Sequence, residues 1–120
     1  MQIQAHKTLF NILRNNKSNN ITKTKHAWTL QEEQICVQLY IDLYIKNKSS
    51  TEINDFLKAL DDKCPNIYIG SLKMKVQNIK QLCIELNIED TLKISPLSKY
   101  SKTCKSVFIN LLKQNNIVKG

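Results

Sequence analysis

The stretch GSLKMKVQNIKQL, residues 70–82, concentrates the side chains of this sequence best suited to touching a charged polymer. Lys73, Lys75 and Lys80 bring ammonium groups that suit phosphate oxygens, and Ser71 a hydroxyl. Gln77, Asn78 and Gln81 carry the paired donor and acceptor that fits an adenine edge in the major groove. At about 100° per residue, Leu72, Val76, Ile79, Cys83 and Leu86 share one arc of a helix. Lys73, Gln77, Lys80 and Gln81 then fall opposite or beside that arc, with Asn78 on a flank and Lys75 near the boundary. The same pattern also describes a plain solvated face, because lysine and glutamine are strong helix formers.

Other chemistries find less support. The acids are scattered, and Asp61-Asp62 and Glu89-Asp90 read as helix-end or turn charges rather than metal ligands. His6 and His26 sit in basic, weakly structured surroundings. Cys36, Cys64, Cys83 and Cys104 form no Cys-x-x-Cys pair, and Cys36 and Cys83 fall on apolar stripes, where a thiol serves as a small filler. The expectation is a chain that is not an enzyme and needs no metal or cofactor, with its thiols reduced in a cytoplasm and no segment suited to a membrane.

The formal charge is +8, from 17 lysines and one arginine against 10 acids, and lysine-, isoleucine- and asparagine-rich usage of this kind also follows from an AT-rich genome. Its distribution says more than its total. Residues 1–30 hold five basic groups and no acid, 31–70 four against seven, 71–87 three against one, and 88–120 six against two. An acidic middle between basic flanks makes a directional field, and nucleic acid is the usual target of a basic face.

The elements that must position these groups are helical. Only two glycines and two prolines occur, and the apolar spacing is three to four residues throughout. Residues 1–16 form an amphipathic helix with Ala5, Leu9 and Leu13 in line, and residues 17–27 a basic linker or arm carrying Lys23 and Lys25. A second helix starts near Leu30, where Thr29 and Glu32 make a capping box after Trp28; its run ICVQLYIDLYI has only Gln38 and Asp42 as a solvent line, so it is covered on most sides. A third helix is read from a Ser49/Glu52 capping box to Lys63, before Pro65. A fourth starts with Ser71 as cap and ends near Asn87, which suits a left-handed cap. The fifth runs from about Lys99 to Asn115, with Cys104, Val107, Phe108, Leu111 and Leu112 as its buried stripe, and residues 116–120 are a tail.

Trp28, Glu32 or Glu33, Leu39-Tyr40, Leu60, Ser71-Leu72, Met74-Lys75-Val76, Asn78 and Leu97-Ser98-Lys99 together resemble a small Myb-like domain found at the N-terminus of bacterial proteins with a C-terminal HNH endonuclease. The resemblance covers roughly residues 27–112 and rests on short motifs. It implies an all-α fold of about five helices in which residues 28–115 are a helical DNA-binding-type domain with a tri-helical helix-turn-helix core, whose recognition helix carries Ser71, Lys75 and Asn78 at the matched positions. It does not imply nuclease activity, since neither histidine lies in a His-Asn-His setting. The resulting expectation is a non-catalytic module for double-stranded DNA, of the kind that targets a restriction or DNA-modification system. Lys73, Lys75, Gln77, Asn78, Lys80 and Gln81 face the groove, and Lys23, Lys25, Lys99, Lys102 and Lys105 supply flanking phosphate contacts. The alternative expectation is a protein-interaction module, either a subunit of a DNA-modifying complex or a small phage-type inhibitor, with Leu9, Phe10 and Leu13 as the patch that wants a protein or a second copy.

Overall fold

The capping box at Thr29 forms as its sequence dictates: the Glu32 N–H donates to Thr29 Oγ1 at 3.1 Å, and Glu32 Oε1 accepts from the Thr29 N–H at 3.0 Å. It starts the first helix of a computed structural model that describes residues 26–118. The described residues are an all-helical arrangement without strands: α1 (Leu30–Tyr40), α2 (Ile53–Lys63), α3 (Ile69–Glu85) and α4 (Lys102–Gln114). The amphipathic helix expected in residues 1–16 lies outside them, as do Lys23 and Lys25.

α1 does not stop at Tyr40 but widens into a π-helical turn, Ile41–Lys46. Tyr44 and Ile45, four residues beyond Tyr40 and Ile41, stay on the buried face already held by Cys36, Val37, Tyr40 and Ile41. Tyr40, Tyr44 and Phe56 meet edge-on, with centroids 4.9 to 6.0 Å apart, at the contact between α1 and α2. α2 and α4 each pack against both α1 and α3, and the α1–α4 contact is the most extensive. Cys104, Val107, Phe108, Leu111 and Leu112 form the buried stripe of α4 as expected.

Helix ends follow local chemistry, with three corrections. Ser49 does not cap α2: its hydroxyl pairs with Thr51, and Glu52 stands at the cap position without a side-chain bond. α3 begins at Ile69, because Tyr68 takes the cap position and its carbonyl already accepts from the Ser71 N–H at 2.9 Å, so Ser71 lies inside the first turn. α4 begins at Lys102 rather than Lys99, since Ser101 accepts from the Cys104 N–H at 3.0 Å. Asn87 does take the left-handed conformation, φ 56°, and ends α3 with bonds from the Ile88 N–H to the Cys83 carbonyl (2.8 Å) and from the Asn87 N–H to the Ile84 carbonyl (3.3 Å). Asn116, φ 61°, ends α4 in the same way, so part of the expected tail is a built cap.

Candidate functional site

The outer face of α3 is more apolar than its lysines suggest. Its exposed residues include Lys73, but also Ile69, Met74 and Ile84, which are 45 %, 54 % and 52 % exposed. Gln77 and Gln81 are half-buried, and the Gln81 amide donates to Glu85 at 2.7 Å. The Tyr68 ring lies against the start of the helix over Gly70, where a Cβ would come within 2.5 Å of the ring as it stands.

Lys75 is not on this face. It is 5 % exposed, its Nζ lies 3.6 Å from Glu33 Oε2 and 4.6 Å from the Trp28 ring centroid, and Glu33 is itself 3 % exposed. A cation inside the core needs an anion, and here α1 provides the carboxylate while the tryptophan offers its π face. Glu33 Oε1 has no hydrogen-bond partner among the described residues, so the lysine is its main compensation. The expectation that Lys75 touches DNA is therefore corrected: Lys75 ties α3 to α1.

Asn78 is likewise buried and turned inward. Its amide donates to the carbonyls of Leu97 and Lys99, both at 2.9 Å, while the Leu97 N–H donates to the Gln77 carbonyl at 3.1 Å. These bonds pin the connection between α3 and α4 to one edge of α3. Tyr100 donates to Glu85 on the same edge; that hydrogen bond holds the phenol proton and pulls the Glu85 carboxyl below its ordinary range. Asn78 is thus no reader of bases, because its donors are spent. Its bonds hold the backbone of the exposed Lys99 against α3, and Lys102 and Lys105 follow, exposed, in the first turn of α4.

Lys80 is clamped on the opposite edge. Its Nζ donates to both oxygens of Asp90 at 3.0 and 3.2 Å and to the Leu92 carbonyl at 3.0 Å, and Tyr40 donates to the same carboxylate. Burial, with the nearby Cys83 and Asp90, pushes the Tyr40 phenol far above its usual value. Burial and Asp90 also push the Cys83 thiol up to about 12. Asp90 is thus a buried tie rather than a turn charge. Sequence spacing could not pair it with Lys80, because the partner sits in an irregular connection with no periodicity to project.

Of the twelve expected contact residues, Lys73, Lys99, Lys102 and Lys105 are exposed, and none of these four makes an ion pair among the described residues. Ser71, Gln77 and Gln81 are half-buried beside them, Lys75, Asn78 and Lys80 are engaged internally, and Lys23 and Lys25 are outside the described residues. All four cysteines are buried and free, and no group of three or more metal-ligating side chains occurs among the described residues. Among those residues no helix is long and apolar enough to cross a membrane. In comparison with known proteins, the chain matches no family model, no curated sequence and no solved structure.

Proposed function

We propose that this chain is a non-catalytic module that binds double-stranded DNA, with the outer face of α3 toward the groove and the start of α4 on the phosphate backbone. The observation that carries the reading is the set of exposed lysines, Lys73 on α3 and Lys99, Lys102 and Lys105 at and before the start of α4, where the Asn78 pin holds the backbone at Leu97 and Lys99 against α3. α1, α2 and α3, each packed on the other two, supply the order of a helix-turn-helix domain, in which the third helix enters the major groove. The connection 86–101 is long for a stretch with no helix or strand of its own, and such connections are usually functional. Lys102 and Lys105 also stand in the first turn of α4 without any acid, against the helix dipole, an arrangement that an anion relieves.

The resemblance to Myb-like domains supports the architecture more than the contacts. Trp28, Glu33, Lys75 and Asn78, which carry much of it, are the residues that hold the helices and the connection together. A role in targeting a restriction or DNA-modification system rests on that resemblance alone. A second reading is favoured by the apolar side chains of Ile69, Met74 and Ile84, which suit a protein partner better than phosphate.

Fluorescence anisotropy of a labelled mixed-sequence duplex, titrated at several salt concentrations, separates the two. With four lysines on phosphates the log-log slope is about −3.6, so affinity falls roughly 150-fold between ~50 and ~200 mM salt. Absence of binding at the lowest salt would refute the DNA reading and leave the apolar face of α3 as the surface to pursue by pull-down.

A further inference from the structure

In the major groove a base pair is read by hydrogen bonds to its edge or by apolar contact with the thymine C5-methyl group. On α3 the first route is narrow. Asn78 donates to the Leu97 and Lys99 carbonyls, and the Gln81 amide donates to Glu85. Gln77 is the one carboxamide of the three whose side chain makes no hydrogen bond among the described residues. The second route is open. Met74, in the second turn of α3, is 54 % exposed and stands between Lys73 and the start of the next turn, which Gln77 opens. Side chains three apart on a helix are neighbours, with about 5–6 Å between Cβ atoms, so Met74 and Gln77 present their tips to the same or adjacent base pairs.

We infer, on the basis of the DNA-binding reading above, that Met74 reads thymine through its C5-methyl group and directs the module to A·T base pairs. Three observations select this role. An exposed thioether has nothing to offer a phosphate, whereas its unbranched, polarisable chain adapts to a methyl group on a base edge. From Ile69 to Ile84 the helix carries three lysines and no acid, so an apolar side chain here lies in a stretch that suits a polyanion; the acid at its last residue, Glu85, is engaged by Gln81 and Tyr100. The two available readers also agree with each other, because the adenine edge that suits Gln77 and the methyl that suits Met74 belong to one base pair.

The test is competition anisotropy with an A·T-rich duplex and with the same duplex in which every thymine is replaced by deoxyuridine, which keeps the charge and the hydrogen-bonding pattern and removes the methyl. At one salt concentration the wild type should bind the thymine duplex about fourfold more tightly for each methyl contacted. Met74→Ala, a change to a strong helix former at an exposed position, should bind the two duplexes equally. Equal affinity of the wild type for both duplexes would overturn the inference and leave the DNA reading standing. A preference for thymine that survives in Met74→Ala would also overturn it, since the methyl would then be read elsewhere or through the shape of the duplex. Absence of binding to either duplex at the lowest salt would remove the DNA reading and this inference together.

Discussion

Replacing Lys75 distinguishes a core tie from a contact residue more sharply than any other change. Glu33 and Lys75 are 3 % and 5 % exposed at 3.6 Å, a separation worth about 5 kcal/mol at an effective dielectric of ~20 before desolvation is subtracted. In Lys75→Met the methylene stem is kept and the cation lost, leaving a carboxylate in the core with one oxygen already without a partner. Breaking a buried pair in this way costs about 3–5 kcal/mol, a large part of the ~6–18 kcal/mol expected for a chain of this length. At roughly 0.25 kcal/mol per kelvin of unfolding entropy, the Tm should fall by about 12–20 °C in a calorimetric scan. Glu33→Met/Lys75→Met removes both charges and should recover at least half of the loss, because well-packed apolar replacements of buried pairs are often neutral. A Tm change under about 4 °C in Lys75→Met would refute the buried pair, and a folded Lys75→Met protein with a flattened salt slope for DNA would make Lys75 a phosphate contact after all.

Three further outcomes are expected. Lys73→Ala, Lys102→Ala and Lys105→Ala should each reduce the salt slope by about 0.9 with no change in Tm, measured by anisotropy and thermal melting. Asn78→Ala should cost about 1–3 kcal/mol in urea unfolding and speed amide exchange across residues 97–101, since two hydrogen bonds to the Leu97 and Lys99 carbonyls are lost. For Glu32, burial pushes the carboxyl up, but the Thr29 N–H and His26 more than offset this and leave it depressed. A depressed carboxyl stabilises the fold above its unfolded pKa, and that contribution is lost as pH falls through the folded value; Glu32→Gln should therefore show a flatter decline in stability below about pH 4.5 than the wild type.

The periodic parts of the fold were legible in the sequence and the irregular parts were not. Apolar steps of three and four residues located the buried faces of α3 and α4, and the Thr29/Glu32 pair and Asn87 located helix ends because each carries its own hydrogen-bond logic. The Ser49/Glu52 box had the same letters but lost to a local Ser49–Thr51 bond. For the site, projection placed Lys73 outward, where it is exposed, while Gln77 is only half-exposed. It placed Lys80 outward too, yet a long side chain on a flank bends to reach Asp90. Lys75 lay close enough to the apolar arc to be drawn inside it, and the signal available was Glu33, a charge on the buried side of α1 that needs a partner of opposite sign.

The widened turn at Ile41–Lys46 works as a one-residue buffer in the first helix. An ordinary insertion would rotate everything beyond it by about 100°, whereas a turn closed by bonds to the fifth residue takes up the extra residue and leaves the later side chains in phase. Deleting Leu43 should therefore be tolerated by the aromatic cluster far better than deleting Gln34 in the regular part of the helix. The loss would appear elsewhere. The end of this turn presents the Tyr44 carbonyl to the Thr91 N–H at 3.0 Å, and Thr91 is the neighbour of Asp90. Tyr44 lies in the last turn, whose carbonyls have no partner within the helix, so a shift of that turn on deletion would move the Tyr44 carbonyl away from Thr91 and slacken the connection between α3 and α4.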